Sequence, residues 1–197
     1  MSNILKVKRA LISVSDKKRI VYLSNFLKNI GCEIISTGGT RTILEEADIQ
    51  TTDITKISGN PEAFGGRMKT ISFNVESSIL FDREKDKEEA EKLGIEGIDL
   101  VVCNLYPFKK VVDEGADLDT LIENVDVGGP TMIRSAAKNF KWVGVVVSPK
   151  DYDELIEEIQ EHGGLTEDFR YNLMCKAFIH TANYDKIISQ AFLDKLM

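Results

Sequence analysis

Histidine, cysteine and proline are scarce in this chain of 197 residues, and it has no long apolar run. His162 and His180 are its two histidines, too few for a histidine-rich metal centre, and a Ser–His–Asp triad would have to use one of two poorly placed rings. Its three cysteines, Cys32, Cys103 and Cys175, stand far apart without Cys-x-x-Cys spacing. That disfavours a zinc site or a disulfide framework and favours buried, reduced thiols. The N-terminus lacks the apolar core of a secretion signal, and no segment approaches the ~20 apolar residues of a membrane span. The cytoplasm is the expected location, with no membrane partner. Basic residues are also in deficit, 25 Lys plus Arg against 32 Asp plus Glu for a net charge of -7. This argues against a nucleic-acid partner, though not against one small anion held by local groups. The 43% of hydrophobic residues suffices for a real core, expected as one domain over 1–197 with its centre in about 7–150.

What is present follows a βαβα order. Arg9 to Val14 reads as a buried strand, Ser15-Asp16 as a helix cap, and Ile20, Leu23, Phe26, Leu27 and Ile30 as the apolar face of a helix that Gly31 stops. Glu33 to Ser36 is a second strand, Thr37-Gly-Gly-Thr40 a tight turn, and Thr40 to Ala47 a helix, an order that implies parallel strands with helical crossovers. Both strands run into hydroxyl-rich turns at helix starts. Ser13, Ser15 and Lys17 in one, with Thr37, Gly38, Gly39 and Thr40 in the other, form a candidate phosphate cradle at the carboxyl edge of the sheet. Ordinary helix capping uses the same residue types.

From Gln50 to Leu80 the periodicity weakens, and Ser58 to Thr70 reads as a long loop in which Arg67 and Lys69 could face one site. A solvated surface loop explains them as well. Glu84 to Lys92 is a charged, exposed helix, and Ile98 to Leu105 the clearest central strand, ending at Tyr106-Pro-Phe108. Proline biases Tyr106 to an extended backbone from which its ring could project at the strand end or pack in the core. Asp117 to Asn124 is a short helix, Trp142 to Val147 a strand, and Ser148 to Asp151 caps a helix to about Glu161. The helix-compatible tail from Thr166 to Met197 has a break expected near Asn183.

The densest stretch is Asn124 to Asn139, which holds Asp126, Gly128, Gly129, Pro130 and Lys138. A helix beginning near Pro130 would present first-turn N–H groups able to hold an anion or oxyanion, with Asp126 just before it and Lys138 two turns along.

Taken in order, Ser13-Val-Ser-Asp-Lys17, Ser36-Thr-Gly-Gly-Thr40, Gly66-Arg-Met-Lys-Thr70, Asn104-Leu-Tyr-Pro-Phe108, Asp126-Val-Gly-Gly-Pro-Thr131, Arg134-Ser-Ala-Ala-Lys-Asn139 and His180-Thr-Ala-Asn-Tyr-Asp185 resemble the IMP cyclohydrolase domain of the bifunctional purine-biosynthesis enzyme that also carries a formyltransferase. The resemblance runs nearly end to end. It implies a methylglyoxal-synthase-like α/β fold: a doubly wound, mostly parallel sheet with helices on both faces and a C-terminal helical extension over about 151–197. It further implies no metal and no organic cofactor. Two departures stand out. Where the family reads Lys-Thr-Leu-His-Pro and then a His with a small-residue pair, this chain has Lys69-Thr-Ile-Ser-Phe73 and Glu76-Ser-Ser78. The chain also stops where the formyltransferase domain would begin, as either a single-function protein or a piece of a longer one.

By resemblance the substrate is a formamido-imidazole-carboxamide ribotide, closed to IMP as the carboxamide nitrogen attacks the formyl carbon and water leaves. The implied catalytic residues are Lys69, Tyr106, Asp126 and Lys138. Asp126 and Lys138 are expected as a charge-coupled pair at the carboxamide, with either one as base. Lys69 and first-turn N–H groups after Gly128 are expected at the formyl oxygen, Arg67 and Thr70 as further substrate contacts, and the 5′-phosphate on the two hydroxyl-rich turns. The partners are this purine ribotide and IMP, with the formyltransferase as a separate protein and a homodimer compatible with the apolar C-terminal helices. The competing readings on the same fold are methylglyoxal synthase and a non-catalytic nucleotide- or phosphate-sensing module.

Overall fold

Strand Arg9–Val14 (β1) is buried along most of its length, as a strand covered by helices on both faces must be. In the computed structural model, which describes residues 4–61, 63–64 and 68–195, it is the middle of a five-stranded sheet. Helix Ile20–Asn29 (α1) leads to Glu33–Ser36 (β2), and Gly38–Glu46 (α2) leads to the two-residue edge strand Thr52–Asp53 (β3). The chain then passes through Ile54–Ser58 (α3), Phe73–Leu80 (α4) and Lys87–Leu93 (α5) and re-enters the sheet as Leu100–Asn104 (β4), whose five residues are all buried. Phe108–Asp113 (α6), Leu118–Glu123 (α7) and Gly128–Lys138 (α8) precede the last strand, Gly144–Val146 (β5). Tyr152–His162 (α9) and Glu167–Asp194 (α10) close the chain.

The strand order is β3-β2-β1-β4-β5 and every pairing is parallel. Winding runs outward from β1 through β2 to β3 on one side and from β4 to β5 on the other, so right-handed crossovers put helices on both faces. Helices α1 and α9 pack together, while α8 packs on β4 and β5 beneath α4 and α10. The direction reverses between β1 and β4, neighbours in register from Ala10 with Leu100 to Val14 with Asn104. Ligands in such sheets bind outside the carboxyl ends of the strands at that point.

Several local expectations need correction. Ser15 and Asp16 do not cap α1, which starts at Ile20 after Arg19 takes a left-handed φ of 59°. The amides of Ser15 and Asp16 are instead held by a side chain from β4, described below. α2 begins at Gly38, so the Thr37–Thr40 turn is its first turn. Among the described residues the weakly periodic region includes the helices α3 and α4. The chain's departure from the family pattern is absorbed there, because Ser72 is the N-cap of α4 and its hydroxyl accepts from the Val75 amide at 3.2 Å. Replacing that cap by alanine (Ser72→Ala) is expected to lower stability by about 1 kcal/mol, read from chemical denaturation. No break occurs near Asn183. α10 is continuous over 28 residues, and Asn183 sits on its exposed face, where a polar residue interrupts nothing.

Among the described residues no helix is long and apolar enough to cross a membrane, and no cluster of three or more His, Cys, Asp or Glu could hold a metal ion.

Candidate active site

The carboxyl ends of β1, β2 and β4 open into a cleft of about 660 Å³, within the usual range for small-molecule sites. Its lining includes Ser13, Ser15, Lys17, Thr37, Gly39 and Thr40 at one end and Tyr106, Asp126, Gly128 and Gly129 at the other. Lys69 and Thr70 lie on the wall between them. Arg67 falls outside the described residues.

At the first end the two turns are tied together. The Ser13 and Thr37 hydroxyls are 3.1 Å apart, and the Thr40 hydroxyl donates to the Val14 carbonyl and accepts from the Val14 amide, each at 3.1 Å. Thr40 is therefore a staple between turns rather than a hydroxyl free for a ligand. Asn104, at the end of β4, fixes the Ser15 turn. Its Oδ1 accepts from the Ser15 and Asp16 amides at 2.7 and 2.8 Å, and its Nδ2 donates to the Asp16 carbonyl at 3.1 Å. Local spacing could not reveal this residue's task, because its partners lie 88 and 89 positions away. Asn104→Ala leaves two amides without their acceptor at about 1–3 kcal/mol each. It is expected to raise the KM for a phosphorylated ligand more than it lowers kcat, measured by steady-state kinetics.

Two lysines converge on this end. Lys17 Nζ donates to the Val14 carbonyl at 2.5 Å, and a Cβ built on Gly38 would stand 2.5 Å from Lys69 Nζ. Gly38 has a φ of 42°, a left-handed backbone that favours glycine, and the flexible end of the Lys69 side chain rests against it. Partial burial and then the nearby Lys69 charge hold the Lys17 pKa below the ordinary lysine value. Two cations placed together beside helix-start amides suit a multiply charged anion such as phosphate.

At the other end Asp126 precedes α8 and acts as an offset cap: its Oδ1 accepts from the Gly129 amide at 2.8 Å. A Cβ on Gly129 would fall 2.6 Å from both Asp126 Oδ2 and the Leu105 side chain, so the turn closes on Asp126 only without one. Burial pushes the Asp126 carboxyl above the ordinary aspartate pKa, and hydrogen bonds from the Gly129 and Tyr106 amides pull it partly back. Tyr106 is 55% exposed and lines the cleft, so its ring does project from the strand end. The α8 N-terminus offers less to an oxyanion than its sequence suggests. Pro130 has no N–H, the Gly129 amide serves Asp126, and the Thr131 amide binds the Val127 carbonyl. The Gly128 amide remains, and a Cβ built on Gly128 would lie 2.7 Å from the Thr70 hydroxyl.

Lys138 is not in this cleft. It ends α8, about 15 Å from Gly128 at 1.5 Å per residue, and is exposed beside a separate hollow with Leu80, Arg134, Ser135 and Phe178. One chain cannot join Asp126 and Lys138 as a charge-coupled pair, because a straight helix separates them. Behind that hollow the Ser135 hydroxyl donates to Glu76 Oε2 at 2.6 Å, so Glu76 braces α4 against α8.

The MGS-like domain family matches residues 19–131, and the AICARFT/IMPCHase bienzyme family matches residues 136–196. The bifunctional purine biosynthesis protein PurH of Persephonella marina is 44% identical over 95% of this chain, and that of Bacillus mycoides 47% identical over 96%. The chain spans 37% and 38% of those two relatives. The solved structure described as the crystal structure of ForH is 35% identical, with a TM-score of 0.83 over 94% of this chain and 96% of that one. The chain belongs to the MGS-like domain family, in the branch that forms the IMP cyclohydrolase part of PurH.

Proposed function

We propose that this chain is an IMP cyclohydrolase, closing 5-formamidoimidazole-4-carboxamide ribotide to IMP with loss of water. The observation that carries the reading is the polarity of the cleft, with paired lysines and hydroxyl turns at one end and a half-buried carboxylate at the other. A nucleotide monophosphate has the same polarity: its phosphate occupies the Ser13–Lys17 and Thr37–Gly39 turns, and its ring reaches Asp126.

Ring closure needs a proton removed from the carboxamide nitrogen, charge stabilised on the formyl oxygen, and that oxygen expelled as water. In our scheme Asp126 accepts the carboxamide proton. A carboxylate whose pKa is raised by burial is a stronger base than an exposed one and better matched to an operating pH near neutral. The nitrogen bonds to the formyl carbon, and the Gly128 amide with the Thr70 hydroxyl faces the oxygen that gains charge. Lys69 spans the two ends. Its neighbour Thr70 lies against Gly128 while its own ammonium leans on Gly38, so side-chain rotation brings the charge to the formyl oxygen when Lys17 holds the phosphate. Two protons reach that oxygen, the one Asp126 took from the carboxamide and the one the formamido nitrogen gives up as its bond to the former formyl carbon becomes double; cleavage of the carbon–oxygen bond then releases water and leaves IMP. Tyr106, exposed at the ring end, orients the heterocycle. Any part taken by Lys138 has to come from another copy of the chain. The substrate must be supplied by a formyl-transferring reaction.

The test is turnover: purified chain incubated with the formylated ribotide, followed by ultraviolet absorbance and chromatography. Catalytic formation of IMP is expected. Binding of IMP without any product at high enzyme concentration would replace this reading with a nucleotide-sensing module.

A further inference from the structure

The Tyr184 hydroxyl lies outside the cleft lining and touches no substrate atom in the scheme above, yet it accepts a hydrogen bond from the Asp126 amide at 2.8 Å. Tyr184 is 7% exposed and stands on α10, 58 residues from its partner. Its ring meets Phe108 edge-on, with centroids 6.3 Å apart at 73°. Phe108 is 1% exposed, begins α6 two residues after Tyr106, and also packs on Phe192 of α10. One tyrosine thus joins three elements: its oxygen holds the peptide of Asp126 and its ring anchors the segment that carries Tyr106.

We propose that Tyr184 is a positioning residue that sets the Asp126 carboxylate against the Gly129 amide, making α10 a structural part of the active site. This rests on the assignment of Asp126 as base. The Asp126 amide precedes α8 and cannot be satisfied inside that helix, and at this half-buried position the Tyr184 oxygen is its acceptor. Without the acceptor the Asp126 peptide is free to rotate, and the Oδ1 bond to Gly129 loses its fixed geometry. Titratable groups near this bond include Tyr106, Cys103 and Asp185 besides Asp126 itself, and Glu123 on the same cleft wall. The Gly129 bond favours the ionised carboxylate, and burial opposes it. Weakening the bond therefore moves the carboxyl pKa upward.

The experiment compares Tyr184→Phe, Phe108→Leu and Asp126→Asn in the full chain by kcat, KM and the pH profile of kcat. Tyr184→Phe keeps the ring and is expected to lower kcat ~10-fold or more, as misplacement of a reacting group does, with KM changed less than ~3-fold. Its acidic limb is expected to move to higher pH. Phe108→Leu disturbs the same packing but leaves the hydroxyl in place; it should lower the melting temperature while keeping the limb where the parent has it. Incorporation of 3-fluorotyrosine at position 184 weakens the oxygen as acceptor without changing its shape and should move the limb in the same direction by less. An acidic limb at the parent position in both Tyr184 variants overturns the inference, whatever happens to kcat, provided Asp126→Asn is inactive. Near-normal turnover of Asp126→Asn overturns instead the base assignment beneath it.

Discussion

Asp126→Asn is expected to lower kcat for ring closure by ~10² to 10⁴-fold, the range of general acid–base catalysis, while IMP affinity changes only a few-fold. Asparagine keeps the size of the side chain and an oxygen to accept from the Gly129 amide, so the turn before α8 survives and the missing property is basicity. Two pH effects accompany the loss. Because burial raises the Asp126 pKa, the acidic limb of kcat in the parent lies above the ~3.9 of an ordinary aspartate. The stability effect has the opposite sense. A carboxyl whose folded pKa exceeds its unfolded value contributes stability that is fully present below the unfolded pKa and lost as pH rises through the folded one. Thermal denaturation of Asp126→Asn should lack that loss and show a melting temperature at pH 7 no lower than the parent's. A variant inactive only because it is unfolded would fail this check.

Lys69→Met is expected to reduce kcat by ~10²-fold or more, the scale of removing one group that stabilises an oxyanion, and to raise KM as well. Methionine preserves the unbranched stem and removes the charge. Lys17→Met serves as the comparison. It too removes a cation from the phosphate turns, but its ammonium is tied to the Val14 carbonyl, so the expected change is confined to KM. Equal, KM-only effects in both variants would place Lys69 wholly at the phosphate and leave the formyl oxygen to the Gly128 amide and Thr70. Parallel kcat and KM measurements on the two variants decide this.

The outline of the fold was legible where residues act on near neighbours. β1, β2, β4 and β5 fall within or on the segments expected from their apolar runs, and Gly31, with φ 78°, ends α1 as its position suggests. The edge strand β3 is two residues long and gives no periodic signal. α3 and α4 have too few apolar positions to show a helical period, and Ser72, the N-cap of α4, is the local signal of a helix start there. The site was legible as separate turns, each with a local reason to bind an anion. What joins them acts at long range: Asn104 on the Ser15 turn, Thr40 on Val14 and Tyr184 on Asp126. Within one chain Asp126 and Lys138 stay apart for a reason already present in the sequence. Eleven residues of continuous helix after Asp126 carry Lys138 to the far end.

The most direct test of the central claim, that the lysine-lined turns and the Asp126 turn grip one nucleotide across the β1/β4 switch point, is a crystal structure of the chain with IMP. The phosphate is predicted on the Gly38–Gly39 amides between Lys17 and Lys69, with the purine ring beside Asp126 and Tyr106. A phosphate seated away from those turns, or a ring pointing away from Asp126, would contradict it.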